Sequence, residues 1–168
     1  MKVLIVGSFP ISDSDFQMIG KSRTELVADG VAADEVNRLE ELRKGFESFK
    51  KSCTALGKSL AAKGATLYIG DDRPIDADTY VIAGFNEVLL SSQTTNKVVI
   101  YSPDDWYRGG LPFSKQLPSL NNITAEYSIV PGPWVRSTNL VMRKVDAIVV
   151  VGGNDSTCLL YTSPSPRD

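Results

Sequence analysis

A doubly wound, mainly parallel sheet of about five strands, with helices on both faces, is predicted by three observations. Five short apolar runs, most of them rich in β-branched residues, are spaced along the chain. Most close on a glycine or a Ser-Pro or Pro-Gly turn. The stretches between several of them carry apolar residues at helical spacing. Strand–helix alternation of this kind gives right-handed crossovers and a parallel sheet.

Lys2–Val6 is the first strand, closed by Gly7 and Ser8 and followed by Phe9-Pro10. Ligands of open α/β sheets bind beyond the strands' carboxyl ends, so this Gly-Ser turn is a candidate phosphate contact as well as an ordinary turn. Neither G-x-G-x-x-G nor G-x-x-x-x-G-K-[ST] occurs. Residues 12–31 are polar and aperiodic, contain Gly20 and Gly30, and read as a long loop, either a lid or an insertion.

From 34 to 63 the apolar residues Val36, Leu39, Leu42, Phe46, Phe49, Cys53, Leu56 and Leu60 fall in steps of three and four, one stripe of an amphipathic helix. Gly45 breaks or bends it, or leaves it whole. Cys53 lies on the stripe and reads as core. Gly64 suits a left-handed C-cap. Thr66–Ile69 is the second strand, closed by Gly70. Asp71, Asp72, Arg73 and Pro74 follow; the two carboxylates could take ribose hydroxyls, as an acid after the second strand does in dinucleotide folds, or begin a turn and cap the next helix. That helix is expected over 76–90, with Val81, Gly84, Phe85 and Val88 on its packed side.

A third strand spans 97–101 and ends at Ser102-Pro103. The loop 104–122 holds Trp106, Tyr107, Arg108 and Phe113, which either touch a base or pin the loop to the core. A fourth strand spans 124–130. Pro133 suits the first turn of a helix running through Trp134, Leu140 and Val145. Arg136 in its opening turns reaches a phosphate bidentately or makes a surface ion pair.

The last strand, 148–151, reads as buried on both faces. It ends in Gly152 and Gly153, which permit a sharp turn and close approach of the backbone. Asn154, Asp155, Ser156 and Thr157 place side-chain oxygens where a helix would begin, an arrangement that suits phosphate. Residues 158–168, Cys-Leu-Leu-Tyr-Thr-Ser-Pro-Ser-Pro-Arg-Asp, resemble the in-frame translation of a transposase adapter from DNA sequencing libraries. They are set aside from fold reasoning. The domain is therefore read as 1–157, cut before the helix that follows Thr157.

The chain has 168 residues, 42% of them hydrophobic, and a net charge of -2. Its mean hydropathy is -0.08 and its pI about 5.2. That is one domain with a real core and no basic footprint, so nucleic acid is disfavoured as a partner. No run approaches the roughly 18 apolar residues of a membrane span, and no signal peptide precedes the first strand. With Cys158 set aside, Cys53 has no partner for a disulfide, which suggests a reducing cytoplasm. Zero histidines remove Ser–His–Asp and Cys–His catalysis and His-based zinc sites from this segment. No metal or cofactor is expected, and no catalytic residue is assigned.

Four segments resemble the SLOG superfamily of Rossmann-like nucleotide-binding domains: 3–8, 56–70, 78–84 and 146–157. The superfamily joins lonely-guy phosphoribohydrolases, Smf DNA-processing proteins and ligand sensors of bacterial conflict systems. In lonely-guy enzymes the last segment carries Pro-Gly-Gly-x-Gly-Thr. Here Gly152 and Gly153 match the glycine pair, Val151 stands for the proline, Asp155 for the third glycine and Ser156 for the threonine. The glutamate that follows in those enzymes would fall within 158–168. Gly70-Asp71-Asp72-Arg73 replaces their second-strand glycine cluster. These departures favour the sensor branch. Resemblance to the sensing domains of Thoeris-type defence effectors implies binding of a cyclic ADP-ribose-like signal, with an effector domain downstream or a homo-oligomer as readout. The implied ligand contacts are Gly7, Ser8, Gly70, Asp71, Asp72, Arg136, Gly152, Gly153, Asn154, Ser156 and Thr157. The alternative is an enzyme of the N-glycosidic bond, lonely-guy-like or nucleoside deoxyribosyltransferase-like, using Asp71, Asp72 or Asp155 beside the anomeric carbon.

Overall fold

The structure, a computed structural model, describes residues 1–88, 96–104 and 110–152. Its elements are β1 (Lys2–Val6), α1 (Asp13–Ile19), α2 (Arg23–Ala28), α3 (Ala33–Ala62), β2 (Thr66–Ile69), α4 (Ala77–Asn86), β3 (Asn96–Pro103), β4 (Ile123–Val130), α5 (Trp134–Met142) and β5 (Ala147–Val150). The sheet has five strands, all parallel, in the order β4-β3-β2-β1-β5. The predicted α/β class and strand number hold.

Side chains alternate across a strand, and the central strands are apolar on both sides. Val3, Ile5, Leu67, Ile69, Val98 and Ile100 face α3 and α4. Leu4, Val6, Tyr101 and Val130 face the other way, against α5. The β3–β4 connection crosses on the α3 side, where Phe113, Leu117 and Leu120 join the core.

β5 departs from the reading of a strand buried on both faces. Ile148 and Val150 are each 40% exposed. In register they follow Leu4 and Val6 of β1, on the face that α5 covers over the other strands. Among the described residues nothing extends that cover to β5.

Residues 12–31 are not a loop but two short helices. Ser12 caps α1 by accepting the Asp15 N–H, and Ser22 caps α2 in a reciprocal capping box with Glu25. Ser-x-x-Glu is the sequence signature of that box. The helices are too short to hold by themselves. Ile19 and Leu26 bury against Val36, Leu39 and Phe46 of α3, and full burial of Leu26 is worth about 2 kcal/mol. Three apolar residues packed from α1 and one from α2 are too few to show periodicity.

α3 is one helix of 30 residues, so Gly45 does not break it. A Cβ at Gly45 would come within 3.3 Å of the Phe9 ring, so packing explains the glycine. The helix is about 45 Å long, against about 17 Å for β1. It ends at Gly64, in the left-handed region as expected, level with the start of β2. The excess therefore overhangs the carboxyl ends of the strands and carries α1 and α2. Farther along, α3 crosses α4 at Gly57 and Gly84, where each glycine meets the other helix's backbone.

Candidate functional site

From β1 the chain builds β2, β3 and β4 to one side and then returns to place β5 on the other. The reversal sits between β1 and β5, and in open α/β sheets the ligand crevice lies outside the strand ends at such a point. Gly7 and Gly152 meet there. Gly7 has φ 137° and no room for a side chain against the Val151 carbonyl. Gly152 has φ 68°, and a Cβ on it would strike the Ser8 carbonyl. The close approach of the two turns thus requires both glycines by itself. Ser8 is buried and bridges Asp76, while the Phe9 N–H donates to the Ile75 carbonyl at 2.8 Å and the Ala77 N–H to the Gly7 carbonyl at 3.0 Å. The helix after this turn, α1, opens with Asp13 and Asp15. Two carboxylates at that end oppose an anion.

Beside the switch point, the end of β2 is held by a buried acid. Asp78, on the first turn of α4, accepts the Gly70 N–H at 2.8 Å and the Asp71 N–H at 3.0 Å through Oδ2. Its Oδ1 is buried without a partner, and burial pushes the carboxyl well above the usual carboxylate range. Gly70 lies against the Tyr101 ring and has no space for a side chain. Asp71 accepts the Asp72 N–H at 2.9 Å and pairs with Arg73 at 3.1 Å. Arg73 also holds Asp76 bidentately, at 2.8 and 3.0 Å. Asp76 is pushed up to about 6, first by burial and then by the Asp71 charge, against the pull of Arg73.

Asp71 and Asp72 line a pocket of about 500 Å3, with Ser102 at the end of β3 and Leu111, Ser114 and Lys115 opposite. That volume is in the range of small-molecule sites. The far wall is tied down at Phe113, whose N–H donates to Asp72 Oδ2 at 2.8 Å and whose ring is fully buried. Tyr127 Oη donates to the Pro112 carbonyl at 2.9 Å. Phe113 has φ 60°, a conformation that costs a residue with a Cβ about 1–3 kcal/mol. Of the two roles open to it in the sequence, Phe113 takes the structural one and pins the loop to the core.

The predicted contacts therefore form two adjoining groups, Gly7, Ser8 and Gly152 at β1 and β5, and Gly70, Asp71 and Asp72 at β2. Arg136 is exposed in the first turn of α5, its stem against Gly132. Its neighbours Ser137 and Thr138 are buried, with Ser137 Oγ donating to the Gly132 carbonyl at 2.9 Å and Thr138 Oγ1 to the Trp134 carbonyl at 2.8 Å. Gly153, Asn154, Asp155, Ser156 and Thr157, and Trp106, Tyr107 and Arg108, lie outside the described residues.

Sequence reasoning passed over Asp76, Asp78, Ser102 and Lys115. Asp78 had a signal, an acid opening an otherwise apolar helix whose burial demands a partner. Lys115 and Ser102 had none, because only the fold brings them to Asp72.

Among the described residues no helix is long and apolar enough to cross a membrane, and no group of three or more His, Cys, Asp or Glu could hold a metal ion. No family model, no curated protein and no solved structure matches this chain.

Proposed function

We propose that the chain is a SLOG-type nucleotide-binding domain that senses a nucleotide derivative of the ADP-ribose kind, in a cytoplasmic signalling or conflict system. The observation that carries the reading is the pocket of about 500 Å3 at the ends of β2 and β3, lined by Asp71 and Asp72 and adjoining the switch point. Ribose hydroxyls would donate to the two carboxylates, Leu111 and Pro112 offer an apolar wall to the base, and the phosphates would run toward Gly7 and Gly152, stopping short of the Asp13 and Asp15 carboxylates that open α1.

A binding module is preferred to an N-glycosidic enzyme because each described carboxylate at the strand ends has a structural role and none requires a catalytic one. Asp71 and Asp76 hold Arg73, Asp78 holds the β2 turn, and Asp72 holds the loop. Binding would then act by favouring one conformation or assembly, read out by a homo-oligomer or an effector domain.

Titration with ADP-ribose, scored by thermal shift and by chromatography for free base, tests the proposal. The expected result is a raised Tm, worth about 3 kcal/mol at a hundredfold excess over Kd, with no base released. Catalytic release of base would establish the enzyme instead.

A further inference from the structure

We propose that residues 111–115 form a latch over the strand-end pocket, positioned by Phe113, and that Asp72 couples this latch to the bound ligand. The inference rests on the nucleotide reading above.

Phe113 is the one non-glycine residue with positive φ among those described, and it stands in the middle of the pocket wall. The left-handed turn sends its ring into the core beside Val98 and Ile100, while Leu111, Pro112, Ser114 and Lys115 line the pocket. Such a conformation persists only where its surroundings hold it. Three ties do so: the buried ring, the Phe113 N–H on Asp72 Oδ2 at 2.8 Å, and the Phe113 carbonyl, which accepts from Gln116 at 3.0 Å and Leu117 at 2.9 Å. On the other side Gly110, at φ 103°, has nothing within 4 Å of where a Cβ would stand.

Asp72 is the only one of these ties that also belongs to the pocket. Oδ2 is spent on the latch, and Oδ1 accepts no hydrogen bond among the described residues. A ligand hydroxyl donating to Oδ1 fixes the carboxylate plane and with it the acceptor for Phe113. A phosphate in the same place meets Asp71 and Asp72 on one wall and Lys115 on the other, so what the pocket reads is hydroxyl donation to Oδ1 rather than net charge. It reports occupancy as order in 111–115.

Amide hydrogen exchange with ADP-ribose and its 2′-phosphorylated counterpart tests this on the whole chain. Asp72→Asn keeps an oxygen for the Phe113 N–H but loses the charge; Asp72→Ala loses both. Without ligand, exchange at Phe113 should quicken about tenfold in Asp72→Ala and little in Asp72→Asn. ADP-ribose should slow exchange across 111–117 in the wild type, bind about tenfold more weakly to Asp72→Asn, and outcompete the 2′-phosphate form. Unchanged exchange on binding, or wild-type affinity in Asp72→Asn, overturns the coupling and leaves the nucleotide reading in place. Absence of binding to any variant overturns the nucleotide reading and the coupling with it.

Discussion

Asp78 holds Gly70 from beneath: its carboxylate accepts the Gly70 N–H at 2.8 Å, and the neighbouring Asp71 N–H at 3.0 Å. The end of β2 is thereby fixed to the first turn of α4, and the pocket acids are presented from a rigid turn. Asp78→Ala would leave two N–H groups, one of them buried, without an acceptor. The expected cost is about 2–4 kcal/mol in urea unfolding. A cost below about 1 kcal/mol would show that solvent satisfies these groups.

The same turn makes stability depend on pH. Folded Asp76 titrates at about 6 against an ordinary value of 3.8, and Asp78 is shifted the same way. The folded state holds these protons more tightly than the unfolded chain does. For Asp76 that stabilisation is therefore full below about pH 4 and is lost as pH rises through about 6, and Asp78 acts in the same direction. Unfolding free energies measured from pH 4 to 7 should decline, and Asp76→Asn should flatten part of that decline. A rise over this range would contradict the assignment.

Gly7 and Gly64 separate strain from collision. Both have positive φ, but only Gly7 faces a neighbour, the Val151 carbonyl, while nothing lies within 4 Å of a Cβ on Gly64. Gly64→Ala should cost about 1 kcal/mol and Gly7→Ala about 2–4 kcal/mol. Equal costs would mean that the β1 and β5 turns part easily.

Gly57 and Gly84 let α3 and α4 touch backbone to backbone. Alanine raises helix propensity by about 1 kcal/mol, so an isolated helix would gain. Here each substitution should destabilise, by about 2–4 kcal/mol, because the neighbour in the way is main chain that cannot rotate aside. Chemical denaturation of the two single variants measures this, and a gain in stability would refute the close crossing.

These positions mark how far the sequence could be read. β1 and β2 appear at their observed bounds because each is a short apolar run stopped by a glycine. The stripe from Val36 to Leu60 gives α3, since a helix buried along one side must show that period. Gly84 shows only its place on the packed side of its helix, and Gly57 carries no such signal: a glycine in a helix looks like weakness until the partner helix is known. β5 reads as fully buried because composition reports what a strand could bury, not what covers it. In the site, Gly70, Asp71 and Asp72 are legible from their place after β2. Their ties to Asp78, Arg73 and Phe113 join residues as many as 41 positions apart, which only the folded chain brings together.

The central claim is that a nucleotide derivative binds at the strand ends, from the pocket of Asp71 and Asp72 across to the switch point at Gly7 and Gly152. Backbone amide chemical-shift mapping on the 15N-labelled chain during titration with ADP-ribose measures this most directly. The account predicts saturable shifts concentrated at Gly7, Ser8, 70–72, 110–115 and Gly152, with α1 and the far end of α3 unmoved. No saturable shift, or shifts centred on the exposed face of β5, would contradict it.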